Sequence, residues 1–451
     1  MAGAHEHSVQ LDRDQCVGCT NCIKRCPTMA IRVRNKKAQI IHERCIDCGE
    51  CVRICEHHAK IPVYDPIDRM NDFEYRVALP APSFYGQFMN LEDVNILLTA
   101  LVKMGFDKVW EVGSAAEIVS AMSREYIAAH PENYPFISTA CPTIVKMIYT
   151  RFPSLIEHML PIQPPVELAA TLARKRAMEE TGLPSEKIGI FFISPCPAKV
   201  TMCRNPIGVE KTEIDYTLAI KDVYMKVLPL MKEVAEHPEE LLDLAEAGRI
   251  GIGWGISGGE AAGLIDDSHL AADGIENCIR VLDDLESQKI HSLHFVELDA
   301  CPGGCVGGVL TIENPYIAKT RMQSLRKYLP VSGAPPVPED TGMWTEEVEY
   351  EPVTSLGRNF IENLHKMQEV EALTKRFPGI DCGSCGAPTC RSLAEDIIRG
   401  TARETDCIYV MLDYIRSLAG TVATDVHMSS GLEPFGKTEK EAEEEPGKEK
   451  A

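Results

Sequence analysis

The chain has 451 residues, 45% hydrophobic and 25% charged, the composition of a globular protein with room for one large domain and one or two small ones. Its formal net charge of −21 argues against a nucleic-acid partner, because that binding needs Lys and Arg to neutralise phosphates, and no apolar run is long enough to span a membrane. The polar start of the chain carries no secretory signal, so its 18 cysteines point to a reducing, cytoplasmic setting and to metal ligation instead of disulfides.

Sixteen of the 18 cysteines fall into four groups of four. The first two groups lie in residues 1–65. Cys16, Cys19, Cys22 and Cys26, followed by Pro27, have the spacing of the bacterial ferredoxin run. Cys45, Cys48, Cys51 and Cys55 repeat it, with Glu56 in place of the proline. The two-residue gap lets a tight turn present successive thiolates to one face of a cube. In two-cluster ferredoxins the fourth cysteine of each run serves the other cluster. That rule assigns Cys16, Cys19, Cys22 and Cys55 to one [4Fe–4S] cluster and Cys26, Cys45, Cys48 and Cys51 to another. Zinc knuckles need only four thiolates in pairs, so the doubled run of four favours iron–sulfur. Residues 31–41 read as a β-hairpin turning at Asn35-Lys36, and His57 and His58 as solvated side chains.

Residues 75–332 alternate strand and helix patterns. Val77-Ala78-Leu79 reads as a strand before Pro80, and residues 91–104 as a helix with Asn90 as N-cap and Gly105 as its stop. Residues 137–139, 188–193 and 295–298 read as buried strands. Each runs shortly into a Cys-Pro pair: Cys141-Pro142, Cys196-Pro197 and Cys301-Pro302. In open α/β sheets, ligands sit beyond the carboxyl ends of the strands, so these three thiols can converge from far apart in sequence. Residues 333–354, rich in Pro, Gly and Glu, read as a linker. Residues 355–427 read as a small helical domain. Its stretch 360–377 is a packing helix, and a second helix from Thr389 turns Leu393, Ile397 and Ile398 inward. Residues 428–451 read as a disordered acidic tail.

Three loops identify a family. Thr139-Ala140-Cys141-Pro142, Pro195-Cys196-Pro197-Ala198-Lys199 and, most specific, Ala300-Cys301-Pro302-Gly303-Gly304-Cys305-Val306-Gly307-Gly308 resemble the catalytic H-cluster domain of the [FeFe] hydrogenases. Ala81-Pro82-Ser83 and Gly255-Ile256-Ser257-Gly258-Gly259-Glu260 support the resemblance. It implies an α/β H-cluster domain with sheet-based lobes, flanked by a small α+β ferredoxin-like domain and a small helical Fe–S domain. It also implies that Cys141, Cys196, Cys301 and Cys305 bind a [4Fe–4S] cluster, and that Cys305 bridges to a two-iron subsite carrying CO, CN⁻ and a bridging dithiolate. Lys199 would hydrogen-bond a cyanide, and Pro82, Ser83, Gly255, Gly258 and Gly259 would pack around the subsite. Cys382, Cys385, Cys390 and the distant Cys407 resemble a small Fe–S domain of anaerobic redox proteins, giving four [4Fe–4S] clusters in all.

The departures from the family pattern bear on rate. Where the family carries a proton-relaying cysteine, this chain has Ala140. Met202 stands in place of a relay glutamate, Asp299 in place of a methionine, and Pro164-Pro165-Val166 where a glutamine is usual. Proton transfer through a positioned acid contributes on the order of 10²–10⁴ in rate. The expectation is therefore slow H2 oxidation or proton reduction, as in the sensory branches of the family, with Asp299 as a substitute proton carrier. Electrons would exchange with a ferredoxin or another redox protein, and a signalling partner would read the output. The alternative is a non-catalytic electron-transfer or assembly protein that lacks the two-iron subsite. Cys203 and Cys278 are left without a role.

Overall fold

β1 (Val9–Leu11), β2 (Ile31–Arg34), β3 (Lys37–Ile40) and β4 (Lys60–Pro62) form two antiparallel pairs, β1 with β4 and β2 with β3. The hairpin turns at Asn35 and Lys36, whose φ values of 52° and 61° suit the two left-handed positions of a two-residue loop. The small core here joins Val9, Ile23, Ile31, Ala38 and Ala59 to the thiols of Cys16, Cys22 and Cys51.

The computed structural model describes residues 7–333, 341–353 and 355–422. They divide into two units, Met1–Val353 and Thr354–Ala451. The larger unit continues with β5 (Tyr75–Pro80), β6 (Lys108–Val109), β7 (Phe136–Ile137), β8 (Ile188–Ser194), β9 (Tyr216–Ala219), β10 (His269–Asp273) and β11 (Phe295–Asp299). These strands make two parallel sheets, of order β6-β5-β8-β9 and β10-β11-β7. β8 is buried along its whole length, the near-continuous apolar run expected of a parallel strand covered on both faces. Its alternate side chains serve two cores. Ile188, Ile190 and Phe192 pack with the helices Val112–Ala129 and Pro165–Thr181. Phe191 and Ile193 pack with Val94–Met104 and Ile220–Glu236.

Two local expectations need correction. The helix expected from residue 91 begins at Val94, and its N-cap is Asp93, whose carboxylate accepts from Asn95 N–H at 2.8 Å. Asn90 has a φ of 59° and lies outside the helix, while Gly105 ends it as expected, with a φ of 118°. The strand expected over 137–139 is Phe136–Ile137. Ser138 still gives its N–H to Val296 O, but its hydroxyl and that of Thr139 bond elsewhere.

Of the segment read as a linker, residues 341–353 lie in the larger unit. Gly342 O accepts from Gln163 N–H at 2.7 Å, and Trp344 N–H donates to Pro161 O at 2.9 Å. The second unit holds the helices Phe360–Thr374, Cys390–Ile398 and Ile408–Val422 around Val370, Leu373, Phe377, Leu393 and Cys407. Thr389 caps the middle helix through Ser392 N–H at 3.0 Å. The tail read over 428–451 lies outside the described residues. Among the described residues, no helix is long and apolar enough to cross a membrane.

Candidate metal-binding active site

The central site lies where the carboxyl ends of both parallel sheets meet. Cys141 caps the helix Pro142–Arg151 after β7, and Cys196 caps the helix Pro197–Arg204 after β8. In each, proline occupies the first helical position, where its missing N–H has no intrahelical partner to lose. Cys301 follows β11 and leads into Gly303 and Gly304, with φ of 77° and 94°. A Cβ on Gly304 would come within 2.4 Å of Ser257 N, so only glycine lets this loop close against its neighbour. Cys305 opens the short turn Cys305–Gly307.

These four thiols are half-buried by area and lie close enough to act on one another electrostatically. Burial pushes Cys301 and Cys305 well above the ordinary thiol range, and the charges of Cys196 and Cys141 push both further. Cys196 is raised to about 11, first by burial, with Lys199 opposing. Four such thiols can be thiolates together only beside a strong cation, so the donor set fits an iron–sulfur cluster.

Beside Cys305 is a cavity of about 50 Å³ whose wall includes Pro82, Ser83, Ala140, Lys199, Gly255 and Asp299. Lys199 is 9% exposed and donates to Ala140 O at 3.0 Å. Burial pulls its pKa down, but the charges of Cys305, Cys196, Cys141 and Cys203 outweigh it and the net shift is upward. Ser83 Oγ is buried and has no hydrogen-bond partner among the described residues. A Cβ on Gly255 would come within 2.7 Å of Ser83 N. Gly258 and Gly259 are not on the cavity wall. Gly258 gives its N–H to Glu297 at 2.8 Å, and Gly259 packs against the backbone of Gly253.

Asp299, half-buried by area because it lines the cavity, belongs to a group of three carboxylates. Its side chain shares a hydrogen bond with Glu297. Glu297 accepts the N–H groups of Gly258 and Ala261, both at 2.8 Å. Glu260, also on the wall, accepts from Ser138 Oγ at 2.6 Å. Burial raises all three above the carboxylate range, and their mutual repulsion adds to it. Sequence reasoning singled out Asp299 alone. Glu297 was visible as a carboxylate inside the apolar run of β11; nothing in the sequence tied it to Glu260 or Ser138.

The two N-terminal sets also gather as their spacing assigns them. Cys16, Cys19, Cys22 and Cys55 line one cavity. In the other set, Cys48 is raised well above the thiol range by burial and then by Cys26, Cys51 and Cys45. His57 and His58 are exposed, with His57 at the rim of the first cavity. Arg53, two residues after Cys51, donates to Gly307 O at 2.9 Å and to Glu50 at 3.1 Å, and its charge opposes the rise at Cys301. A guanidinium therefore joins the dicluster segment to the central loop, a link that no spacing reveals. In the second unit, Cys385, Cys390 and Cys407 share the core while Cys382 is exposed. Cys203 and Cys278 are both buried, and Cys278 donates to Asp299 O at 3.2 Å.

The family model described as the C-terminal domain of the iron-only hydrogenase large subunit matches residues 74–266 and 261–309. A 4Fe-4S dicluster domain matches residues 8–56, and an Fe-S cluster family matches residues 377–409. The chain is 25% identical over 363 residues to the periplasmic [Fe] hydrogenase large subunit of Nitratidesulfovibrio vulgaris, covering 67% of this chain and 86% of that protein. It is 22% identical over 260 residues to the NADP-reducing hydrogenase subunit HndD of Solidesulfovibrio fructosivorans, covering 47% of this chain and 44% of that protein. Iron hydrogenase 1 of Clostridium pasteurianum is 21% identical over 377 residues, 67% of this chain and 64% of that protein. Among solved structures, apo [FeFe]-hydrogenase HydA1 from Chlamydomonas reinhardtii aligns with a TM-score of 0.43 at 14% identity, over 59% of this chain and 87% of that one.

Proposed function

As the chain belongs to the iron-only hydrogenase large-subunit family, we propose that it is an iron–sulfur oxidoreductase that interconverts H2 with protons and electrons, slowly and in a sensing or regulatory role. The observation that carries this reading is the cavity beside Cys305. A cubane needs only the four thiolates. The space beyond them, with the unsatisfied Ser83 hydroxyl and the buried Lys199 ammonium on its wall, fits a further anionic group. A two-iron subsite with CO, CN⁻ and a bridging dithiolate, held through Cys305, would supply the metal centre at which H2 is formed or split.

The chain's own residues then have defined tasks. Lys199 and Ser83 donate hydrogen bonds into the cavity and orient what binds there. Ala140 and Met202 offer no proton. Asp299 takes the proton from the cavity at its carboxyl oxygen and passes it to Glu297, to which it is hydrogen-bonded. Glu260 and Ser138 extend the buried polar chain. Electrons cross between the central loop and the dicluster segment at the Arg53–Gly307 contact. Cys382, Cys385, Cys390 and Cys407 hold a fourth [4Fe–4S] cluster. A ferredoxin or similar protein exchanges electrons with the chain, and a signalling partner reads its state.

The test is the infrared spectrum, in the CO and CN⁻ stretching region, of the chain loaded with the two-iron complex and freed of excess. Sharp bands that shift under H2 support the proposal. No bands, with four clusters by iron analysis, would leave a non-catalytic electron-transfer or assembly protein.

A further inference from the structure

The dicluster segment is built from two copies of one motif, and aligning them by their cysteines pairs Cys26 with Cys55, Ala30 with Ala59, and Ile31 with Lys60. The structure keeps this symmetry. Ala30 N–H donates to Cys26 Sγ at 3.2 Å, and Ala59 N–H to Cys55 Sγ at 3.3 Å. Ile31 and Lys60 each open a strand, and each is 2% exposed. Only the chemistry differs: one copy buries a hydrocarbon and the other an ammonium.

Lys60 Nζ is buried and has no hydrogen-bond partner among the described residues. Its side chain lines the cavity formed by Cys16, Cys19, Cys22 and Cys55. Burial pushes Cys22 up to about 11 and Cys51 to about 12, and in both Lys60 is the strongest opposing influence. A buried ammonium with no partner is strongly unfavourable unless an anion faces it. A cubane held by four thiolates is such an anion, with sulfur acceptors on every face.

We propose that Lys60 is a fixed positive charge held against the cluster of Cys16, Cys19, Cys22 and Cys55, and that it makes the two clusters of the segment electrochemically unequal. This rests on the reading of the segment as a dicluster domain. An added electron makes a cubane more negative, so a buried cation at its wall favours the reduced state, and low local dielectric enlarges the effect. Cys51 belongs to the other set and also feels Lys60, but Lys60 lines the first cavity, so the larger effect falls there. Cys19 of that cluster is exposed. The electron therefore rests preferentially at the cluster nearest solvent, where a redox partner can take it.

Lys60→Ile restores the symmetry of the two copies, and Lys60→Arg keeps the charge. In the full chain with its clusters loaded, redox titration followed by electron paramagnetic resonance reads each potential, and Cys19→Ser marks the signal of the first cluster. Lys60→Ile lowers the potential of the marked signal more than that of its neighbour, while Lys60→Arg stays nearer the wild-type value. If Lys60→Ile does not load, Lys60→Gln replaces it with the same expected shift. An unmoved potential, or equal shifts of both signals, overturns the role of Lys60. A wild-type chain without two coupled cubane signals from this segment overturns the dicluster reading itself, and the proposal with it.

Discussion

The dicluster segment and the α/β domain place their cysteines in opposite ways. In the first, the thiols are much of the core: Cys16, Cys22 and Cys51 are buried among a handful of small aliphatic residues. In the second, Leu97, Phe191, Phe192 and their neighbours fill extensive apolar cores, and the thiols sit at the strand ends beyond them. So small a core buries too little apolar surface to be stable alone. There a metal would be part of the fold, as in small domains that fold on binding it. In the α/β domain a metal would occupy a site beyond cores that the polypeptide fills by itself.

Removing iron should separate the two most sharply. After anaerobic chelation, hydrogen exchange should show complete loss of amide protection in β1–β4, while β5 and β8 remain protected. Persistent protection in β2 and β3 would mean that the short strands stand without their clusters, and the contrast would fail.

The same division explains what was legible in the sequence. A contiguous run such as Cys45, Cys48, Cys51 and Cys55 encodes its site in turn geometry alone, so spacing sufficed, and the hairpin at Asn35-Lys36 followed from local turn chemistry. Three of the central thiols could be anticipated because a Cys-Pro pair follows each apolar strand, whereas Cys305 was named only through the resemblance of its loop. The carboxylate group could not. Glu297 and Asp299 lie on β11, while Glu260 arrives from the separate short helix Gly259–Gly263, so only tertiary structure makes them neighbours. The N-cap at Asp93 was missed for a smaller reason. Asn90 and Asp93 are both good caps, and the choice between them turns on where the helix buries Val94.

If the α/β domain tolerates buried carboxylates because its fold is independent of iron, Asp299 can be changed without losing the site. Asp299→Asn should leave iron content and the infrared bands of the loaded protein intact, and lower H2 turnover by about 10²-fold, the lower range for a lost positioned acid. Turnover within twofold of wild type would remove Asp299 from the proton route. Loss of the bands would make it structural.

The smallest effect tests the independence of the α/β fold directly. Glu167 lies in the first turn of the helix Pro165–Thr181, next in sequence to the cavity-lining Pro165 and Val166; its Oε2 accepts from Thr212 Oγ1 at 2.8 Å, and its Oε1 is buried with no hydrogen-bond partner among the described residues. Burial raises this carboxyl from 4.5 to about 7, against the opposing Thr212 bond and Lys199 charge. Between those two values the folded state binds more protons than the unfolded one, so stability is full at the acid end and falls as pH rises through the window. A shift of this size corresponds to a loss of about 3 kcal/mol at most. Glu167→Gln keeps the acceptor for Thr212 but cannot ionise. In iron-free protein, urea unfolding of the α/β domain should therefore lose stability between mildly acidic and neutral pH in the wild type and lose less in Glu167→Gln. Equal slopes would mean that Glu167 is not held neutral by the polypeptide alone, and that the surroundings of this helix depend on the metal after all.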